Sequence, residues 1–365
     1  MKNTYGSSIS LTLFGESHGK AIGAVIDGIA PGLAVSEENI EKCLAKRRPD
    51  GISSTPRIEK DKFEILSGVF EGKTTGTPIA IMIPNENTKS SDYTYGIARP
   101  SHADYSAYCK YHGNEDYRGG GHFSGRITAA LVAAGAILTD ALKGLGISIG
   151  THILNCGSAS DRVFDDVASD VEYLKNAAFP TLSDESARKI TEVILSSREK
   201  GDSVGGITQS AVVGLPAGLG EPWFDSVEGD LAKALFAIGG IKGVEFGLGF
   251  GFGEKSGAQA NDAFEIKDGK IITKTNNNGG INGGITNGMP VIFQCAVKPT
   301  PSVSIEQDTV NFIEKSELSH SIKGRHDPAI IRRICPVIDS ITALVVCDML
   351  AMRYGTDVFT KGFEK

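Results

Sequence analysis

Only seven of the 365 residues are histidine, and two of those sit where chemistry could use them. Gly15-Glu16-Ser17-His18-Gly19 sets an imidazole beside a carboxylate and a hydroxyl, on backbone that glycine leaves pliable. Arg99-Pro100-Ser101-His102-Ala103-Asp104 sets another between a cation and a carboxylate. A neighbouring anion favours the protonated ring, so either histidine could serve as a general acid near neutrality. Arginines gather in the same loops: Arg47, Arg48, Arg57, Arg99, Arg118, Arg126 and Arg325. Each can grip a phosphate or carboxylate through two parallel hydrogen bonds. Lys46-Arg47-Arg48 also reads as a solvated helix end facing the helix dipole. In Arg325-His326-Asp327-Pro328, Asp327 is either a helix N-cap or a base.

Glycine-rich stretches supply the complementary surface. Arg118-Gly119-Gly120-Gly121-His122-Phe123-Ser124-Gly125-Arg126 runs from a triple glycine through a hydroxyl into an apolar helix. Missing Cβ atoms let backbone approach a ligand, and a helix N-terminus offers unpaired N–H groups to an anion. This predicts the floor of a site for something large and anionic. A second glycine loop, residues 276–284, and Lys298-Pro299-Thr300-Pro301-Ser302 add donors, a cation and hydroxyls suited to a phosphate tail. Gly247-Leu-Gly249-Phe-Gly251-Phe-Gly253 is not followed by an amphipathic helix, so it does not read as a dinucleotide fingerprint.

The formal net charge of −7 argues against nucleic acid as a partner. Six cysteines without a C-x-x-C pair predict buried reduced thiols in a cytoplasmic protein, and no spacing suggests a metal site. The N-terminus lacks an apolar signal segment. The most apolar helices, near 127–142 and 337–352, contain Asp140 and Asp348 and are expected to be too short and mixed for a bilayer.

The positioning elements follow from periodicity. Strands are expected at 8–13, 22–26, 63–66 and 79–83, and a helix capped by Ser36 should stop near Pro49. Ser183 should cap a helix with Ile190, Val193 and Ile194 on one face and Gly201 at its end. The order then repeats. Gly28-Ile-Ala-Pro-Gly32-Leu33 resembles Gly214-Leu-Pro-Ala-Gly218-Leu219, and Gly72-Lys-Thr74-Thr-Gly76-Thr-Pro78 resembles Gly284-Ile-Thr286-Asn-Gly288-Met-Pro290. Arg99, His102 and Asp104 have a looser echo in Arg325, His326 and Asp327. The second copy carries an insertion containing Phe264 to Thr273, a hairpin around Asp268-Gly269. A duplication into similar halves, about 8–156 and 205–353, is expected within a single compact domain. Short glycine, threonine and proline turns favour antiparallel sheets with helices packed between or against them.

These motifs together resemble the chorismate synthase family, over nearly the whole chain from about residue 6 to 353. The matching stretches are Phe14-Gly-Glu-Ser-His18-Gly, Arg99-Pro-Ser-His102-Ala-Asp104, Arg118-Gly-Gly-Gly121, Gly201-Asp-Ser-Val-Gly205-Gly, Lys242-Gly-Val-Glu-Phe-Gly247, Gly283-Gly-Ile, Lys298-Pro-Thr-Pro-Ser302 and Gly324-Arg325-His-Asp327-Pro. The resemblance implies an α/β fold of the α+β type: a β-α-β sandwich with two antiparallel sheets around helices and an internal pseudo-two-fold. It implies 1,4-anti elimination of phosphate from 5-enolpyruvylshikimate 3-phosphate, giving chorismate for aromatic amino-acid biosynthesis. Reduced FMN is required without net redox change.

By the same resemblance His18 protonates the leaving phosphate, His102 protonates the reduced flavin, and Asp327 assists proton removal. Arg47, Arg48, Arg57, Arg99, Arg126 and Arg325 hold the substrate's three anionic groups or the flavin phosphate. The cofactor is expected against His122, Phe123, Ser124, Gly239, Gly240, Gly283, Lys298, Pro299, Thr300, Pro301, Ser302 and Arg325. NADPH is a possible reductant, with Arg47 its contact, and a separate flavin reductase is the other source. A homotetramer without nucleic-acid or membrane partners is implied. The family's usual basic-Ser-Ser run after the triple glycine is here His122-Phe123-Ser124, and Ser101 replaces a glycine. No arginine occurs from Asp50 to Pro56. A flavin- or nucleotide-binding module without lyase chemistry would keep the glycine loops but not need His18, His102 and Asp327 together. A hydrolase using Ser17 or Ser124 lacks the G-x-S-x-G elbow.

Overall fold

The computed structural model describes residues 2–51, 53–54, 60–86, 93–321 and 327–363. The first part of the chain runs β1 (Thr4–Tyr5), β2 (Ser10–Gly15), β3 (Ala21–Asp27), α1 (Glu37–Arg47), β4 (Glu64–Ser67), β5 (Val69–Phe70), β6 (Lys73–Thr74), β7 (Ile79–Pro84), α2 (Asp104–Tyr111) and α3 (Thr128–Gly144). Then follow β8 (Ser148–Cys156), β9 (Ala159–Ser160), α4 (Val167–Asn176), α5 (Asp184–Glu199), β10 (Gly206–Val213), α6 (Val227–Leu235), β11 (Ile241–Phe246) and α7 (Gly257–Ala260). The remainder is β12 (Phe264–Lys267), β13 (Lys270–Thr273), β14 (Ile281–Asn282), β15 (Ile285–Thr286), β16 (Val291–Val297), β17 (Gln307–Asn311), β18 (Ser316–His320), α8 (Ile331–Tyr354) and α9 (Val358–Lys361).

Two five-stranded sheets form, in the orders β1-β2-β3-β7-β4 and β9-β8-β10-β16-β11, with every neighbour antiparallel. Their alternation drives burial: Ile79, Ile81 and Ile83 of β7 point inward, as do Val291, Phe293 and Cys295 of β16. α3 packs on β3 and β7, α8 packs on β8 and β10, and the two helices pack on each other. Their approach is close, since a Cβ on Gly135 would lie 2.3 Å from the Ser340 Cβ. The expected α+β sandwich of antiparallel sheets around helices is the observed arrangement.

Both halves use one strand order. β2-β3-β7-β4 has the same succession as β8-β10-β16-β11, and α1, α3 fall where α6, α8 fall. This moves one expected boundary. Residues 148–156, placed at the end of the first half, pair with β10 in the second sheet, so they open the second half.

Ser36 and Ser183 accept hydrogen bonds from the Asn39 and Ser186 N–H groups, as N-caps should. α8 departs from expectation. It begins at Ile331 rather than 337 and runs through Pro336 for 24 residues. It and the segment Gly125–Gly144 are long and apolar enough to cross a membrane, but 89% and 72% of their apolar windows are buried inside the protein. The buried carboxylate of Asp348 is matched by three N–H donors, Ser7, Ser8 and Ile9, at 2.8, 2.7 and 2.9 Å. All six cysteines are free; four are buried, Cys43 is half-buried and Cys109 is exposed.

Candidate active site

The first turns of α3 and α8 both face one cavity of about 1080 Å³. Loops from both halves close it. From the first come Ser17 and His18, Arg47 at the end of α1, Lys60 to Lys62, Arg99 with His102, and His122 to Arg126. From the second come Gly239 and Gly240 between α6 and β11, Lys242 at the start of β11, Lys298 to Ser302 after β16, then Asp327 and Arg333. Two helix N-termini and a majority of cations make the local field positive despite the negative chain.

The triple glycine does something other than cap a helix. α3 starts only at Thr128, and Gly119, Gly120 and Gly121 are left-handed, with φ of +60°, +80° and +53°. A Cβ on Gly119 would fall 2.3 Å from Cε1 and 2.4 Å from Nδ1 of His18. A Cβ on Gly120 would fall 3.1 Å from Cε1 of His102. Adjacent glycines thus lie against both imidazoles: a Cβ at Gly119 would overlap His18, and one at Gly120 would press on His102. The Gly121 carbonyl accepts from the Ser17 N–H at 3.0 Å, tying the His18 loop to the same turn. His122 Nδ1 donates to the Gly15 carbonyl at 2.8 Å, a further tie.

His102 is oriented from behind. Its Nδ1 lies 2.8 Å from Asp104 Oδ1. Arg99 donates to the same carboxylate from Nε at 2.8 Å and from Nη2 at 2.7 Å. Burial alone would raise the Asp104 pKa, but hydrogen bonds and charge from Arg99 and His102 outweigh it and hold the carboxyl well below the usual range. An ionised Asp104 fixes Nδ1 as the donor, so Nε2 is left to exchange a proton. Arg99 lines the cavity, and its fork on Asp104 orders this pair.

Arg47 and Arg126 meet at Asp61, a carboxylate that sequence reasoning missed. Arg47 Nη1 lies 3.2 Å from Asp61 Oδ2, and Arg126 Nη1 pairs with Asp61 Oδ1. Arg47 also donates from Nε to Thr128 Oγ1 at 2.9 Å and from Nη2 to the Gly125 carbonyl at 3.1 Å. At 3% exposure its side chain is part of the cavity wall. Asp61 gave no signal in Lys60-Asp61-Lys62, which reads as a solvated loop. Arg333, also missed, could have been noticed as the second of two arginines opening an apolar helix.

Asp327 is not the N-cap of α8, whose N-cap is Ile330 without a side-chain bond. It pairs instead with Arg333 Nη1 at 2.5 Å. Lys298 Nζ donates to the Ser101 carbonyl at 2.6 Å, joining the second-half loop to the His102 loop. Burial, then the nearby Lys242 charge, lowers its pKa.

Two expected ligands lie elsewhere. Arg48 pairs with Glu41, at 2.5 Å, and is absent from the lining, though its Nε lies 3.8 Å from Asp61. Gly283 forms the hairpin turn between β14 and β15, with φ of +63°, and does not line the cavity. Its counterpart turn between β5 and β6 is Glu71-Gly72, so the glycine pair answers turn geometry, not a ligand. Arg118 is paired with Asp116 at 2.8 Å. Arg57 and Arg325 lie outside the described residues.

The lining fits a phosphorylated flavin. A Cβ on Gly239 would meet nothing within 4 Å, so its backbone is open to a flat ligand. Thr300 Oγ1 is buried in the wall with no hydrogen-bond partner among the described residues, and Lys242 and Lys298 stand nearby. No group of three or more metal-ligating side chains occurs among the described residues.

A family model described as chorismate synthase matches residues 9–351. The chorismate synthase of Pyrococcus abyssi is 46% identical over 351 residues, covering 95% of this chain and 97% of the relative. That of Methanobrevibacter smithii is 49% identical over 356 residues, covering 95% and 96%. A crystal structure of chorismate synthase superposes with a TM-score of 0.75 at 30% identity, over 96% of this chain and 94% of that one.

Proposed function

We propose that this chain, which belongs to the chorismate synthase family, carries out its reaction on reduced FMN in the cavity between α3 and α8. The reaction is that of a carbon–oxygen lyase making chorismate from 5-enolpyruvylshikimate 3-phosphate in the shikimate pathway. When bound, reduced FMN supplies an electron-rich ring that eases cleavage of the bond to phosphate and can take up a proton. Lys242, Lys298, Thr300 and Ser302 would hold its phosphate and ring edge, with Gly239 and Gly240 giving backbone room.

His18 holds a proton for the departing phosphate. His102, with Nδ1 committed to Asp104, would hold a proton at Nε2 on the side where the cofactor binds. Asp327, fixed by Arg333, assists removal of the substrate proton. Arg47 and Arg126, joined by Arg57 and Arg325, receive the phosphate and two carboxylates. Fixed cations beside a forming phosphate anion stabilise the transition state without waiting for solvent to reorganise. Residues 10–144 and 148–354 act as similar halves of one domain, each supplying part of the wall.

The observation that supports this reading most is the placement of His18 and His102 against neighbouring glycines of one turn in a cationic cavity. Anaerobic mixing of the pure protein with reduced FMN and substrate should release chorismate and phosphate. The His18→Ala/His102→Ala double variant should bind flavin, read by fluorescence, without turnover; full activity would overturn the assignment. Replacing reduced FMN by FMN and NADPH, with and without an added reductase, identifies the reductant. A cytoplasmic homotetramer is the assembly we expect, and light scattering on the purified protein measures its size.

A further inference from the structure

Asp61 has 0% side-chain exposure, yet it neighbours a cavity full of cations. It sits at φ of +47°, a left-handed conformation uncommon for a residue with a Cβ. Its two oxygens are divided: Oδ2 serves Arg47, Oδ1 serves Arg126, and Arg48 Nε stands 3.8 Å away. Those arginines come from the end of α1 and the turn before α3, so the carboxylate joins separate elements. Each guanidinium has further anchors. Arg126 donates from Nε to Asn85 Oδ1 at 3.0 Å and from Nη2 to the Pro84 carbonyl at 3.2 Å. Asp61 is the carboxylate that both share, and it offsets the repulsion between two like charges held close together in a buried setting.

We propose that Asp61 is a positioning residue for the reaction, a buried clasp that holds Arg47 and Arg126 at one fixed spacing for the substrate's anionic groups. The inference rests on the reading that these arginines bind substrate. Without the clasp the two cations drift apart, and the substrate must spend part of its binding energy on reassembling them. The loss then appears in substrate binding more than in the bond-breaking step.

The test uses the full chain with Asp61→Asn, Asp61→Glu and, as comparator, Arg126→Lys. Melting temperature, calorimetric binding of 5-enolpyruvylshikimate 3-phosphate, and KM and kcat with reduced FMN are measured on each. Asp61→Asn should weaken binding and raise KM by about tenfold or more, with kcat changed by about threefold or less. Asp61→Glu keeps the charge one methylene further out and should fall between. Wild-type KM in folded Asp61→Asn, or a tighter KM, overturns the inference. If Asp61→Asn does not fold, Asp61→Glu decides, and an unchanged KM at the wild-type melting temperature overturns it. Weak binding by Arg126→Lys with normal binding by Asp61→Asn sinks the clasp alone. Normal binding by both sinks the arginine reading beneath it.

Discussion

The two halves share one clasp and divide the chemistry unequally. In the first, Thr74 Oγ1 donates to the Ala30 carbonyl at 2.6 Å and accepts from the Leu33 N–H at 3.0 Å. In the second, Thr286 Oγ1 donates to the Pro216 carbonyl at 2.7 Å and accepts from the Leu219 N–H at 2.9 Å. The backbone bonds also correspond: Gly32 N–H to the Thr74 carbonyl, Gly218 N–H to the Thr286 carbonyl, at 2.8 and 2.7 Å. What differs is the connection between the first two long strands. β2 to β3 is a short loop carrying His18, whereas β8 to β10 is a long excursion carrying α4 and α5. α4 packs on β8 and β10, whose inner side already meets α8. The frame therefore repeats in its turns, while the reactive groups are placed by connections free to diverge.

Histidines sharpen this contrast most. Loss of both His18 and His102 should reduce turnover by about 10³-fold or more, the scale of two acid–base groups. His152, on β8 of the second half, is fully buried with Nδ1 3.3 Å from Asp161 and Nε2 3.2 Å from Gln209. His152→Gln should lower the melting temperature and leave kcat per folded molecule unchanged. A large kcat loss in that variant would break the division between frame and site. Next in size, Gly119→Ala must push a Cβ into His18 from a left-handed backbone. About 10²-fold loss of turnover with flavin binding retained is expected, measured by assay and fluorescence titration.

Periodic and capped segments were legible beforehand. β7 and β16 alternate strictly, and Ser36 and Ser183 announce their helices, so strand and helix positions followed from local rules. The repeated glycine and threonine turns were legible for the same reason, because a left-handed position admits few residue types. Arg47, Arg126, His18 and His102 were recoverable from chemistry and resemblance, and they line one cavity. Asp61 was not, because a carboxylate between two lysines looks solvated until the fold brings Arg47 and Arg126 to it. Gly283 and Arg48 present the converse case. Their types suit a ligand site, but a hairpin turn and Glu41 had prior use for them.

Stability separates the halves less than catalysis does. Thr74→Val and Thr286→Val each strip a hydroxyl that is both donor and acceptor, leaving a carbonyl and an N–H unmatched. Each should cost about 1–3 kcal/mol by denaturant unfolding. A cost confined to one half would show that the matched clasp is a matter of shape and not of energy.

The smallest effect compares the central helices. Each carries an aspartate whose pKa is raised chiefly by burial: Asp140 in α3, and Asp339 in α8, pushed up to about 6. Thr151 Oγ1 donates to Asp339 at 2.6 Å, which opposes the burial effect without overcoming it. In the folded protein Asp339 keeps its proton to higher pH than in the unfolded chain, where the ordinary value is 3.8. Its contribution is therefore intact below about pH 4 and is lost as pH rises to about 6, because only the unfolded chain gains from ionising. Asp339→Asn retains an acceptor for Thr151 and removes that loss. The variant should match wild type near pH 4 and exceed it above pH 6, by at most about 3 kcal/mol, the worth of roughly two pK units. Asp140→Asn should give the same sign with a smaller amplitude, since burial raises Asp339 the further of the two. Equal amplitudes in melting temperature against pH would mean that the two helices are equally dry, contrary to the packing of α8.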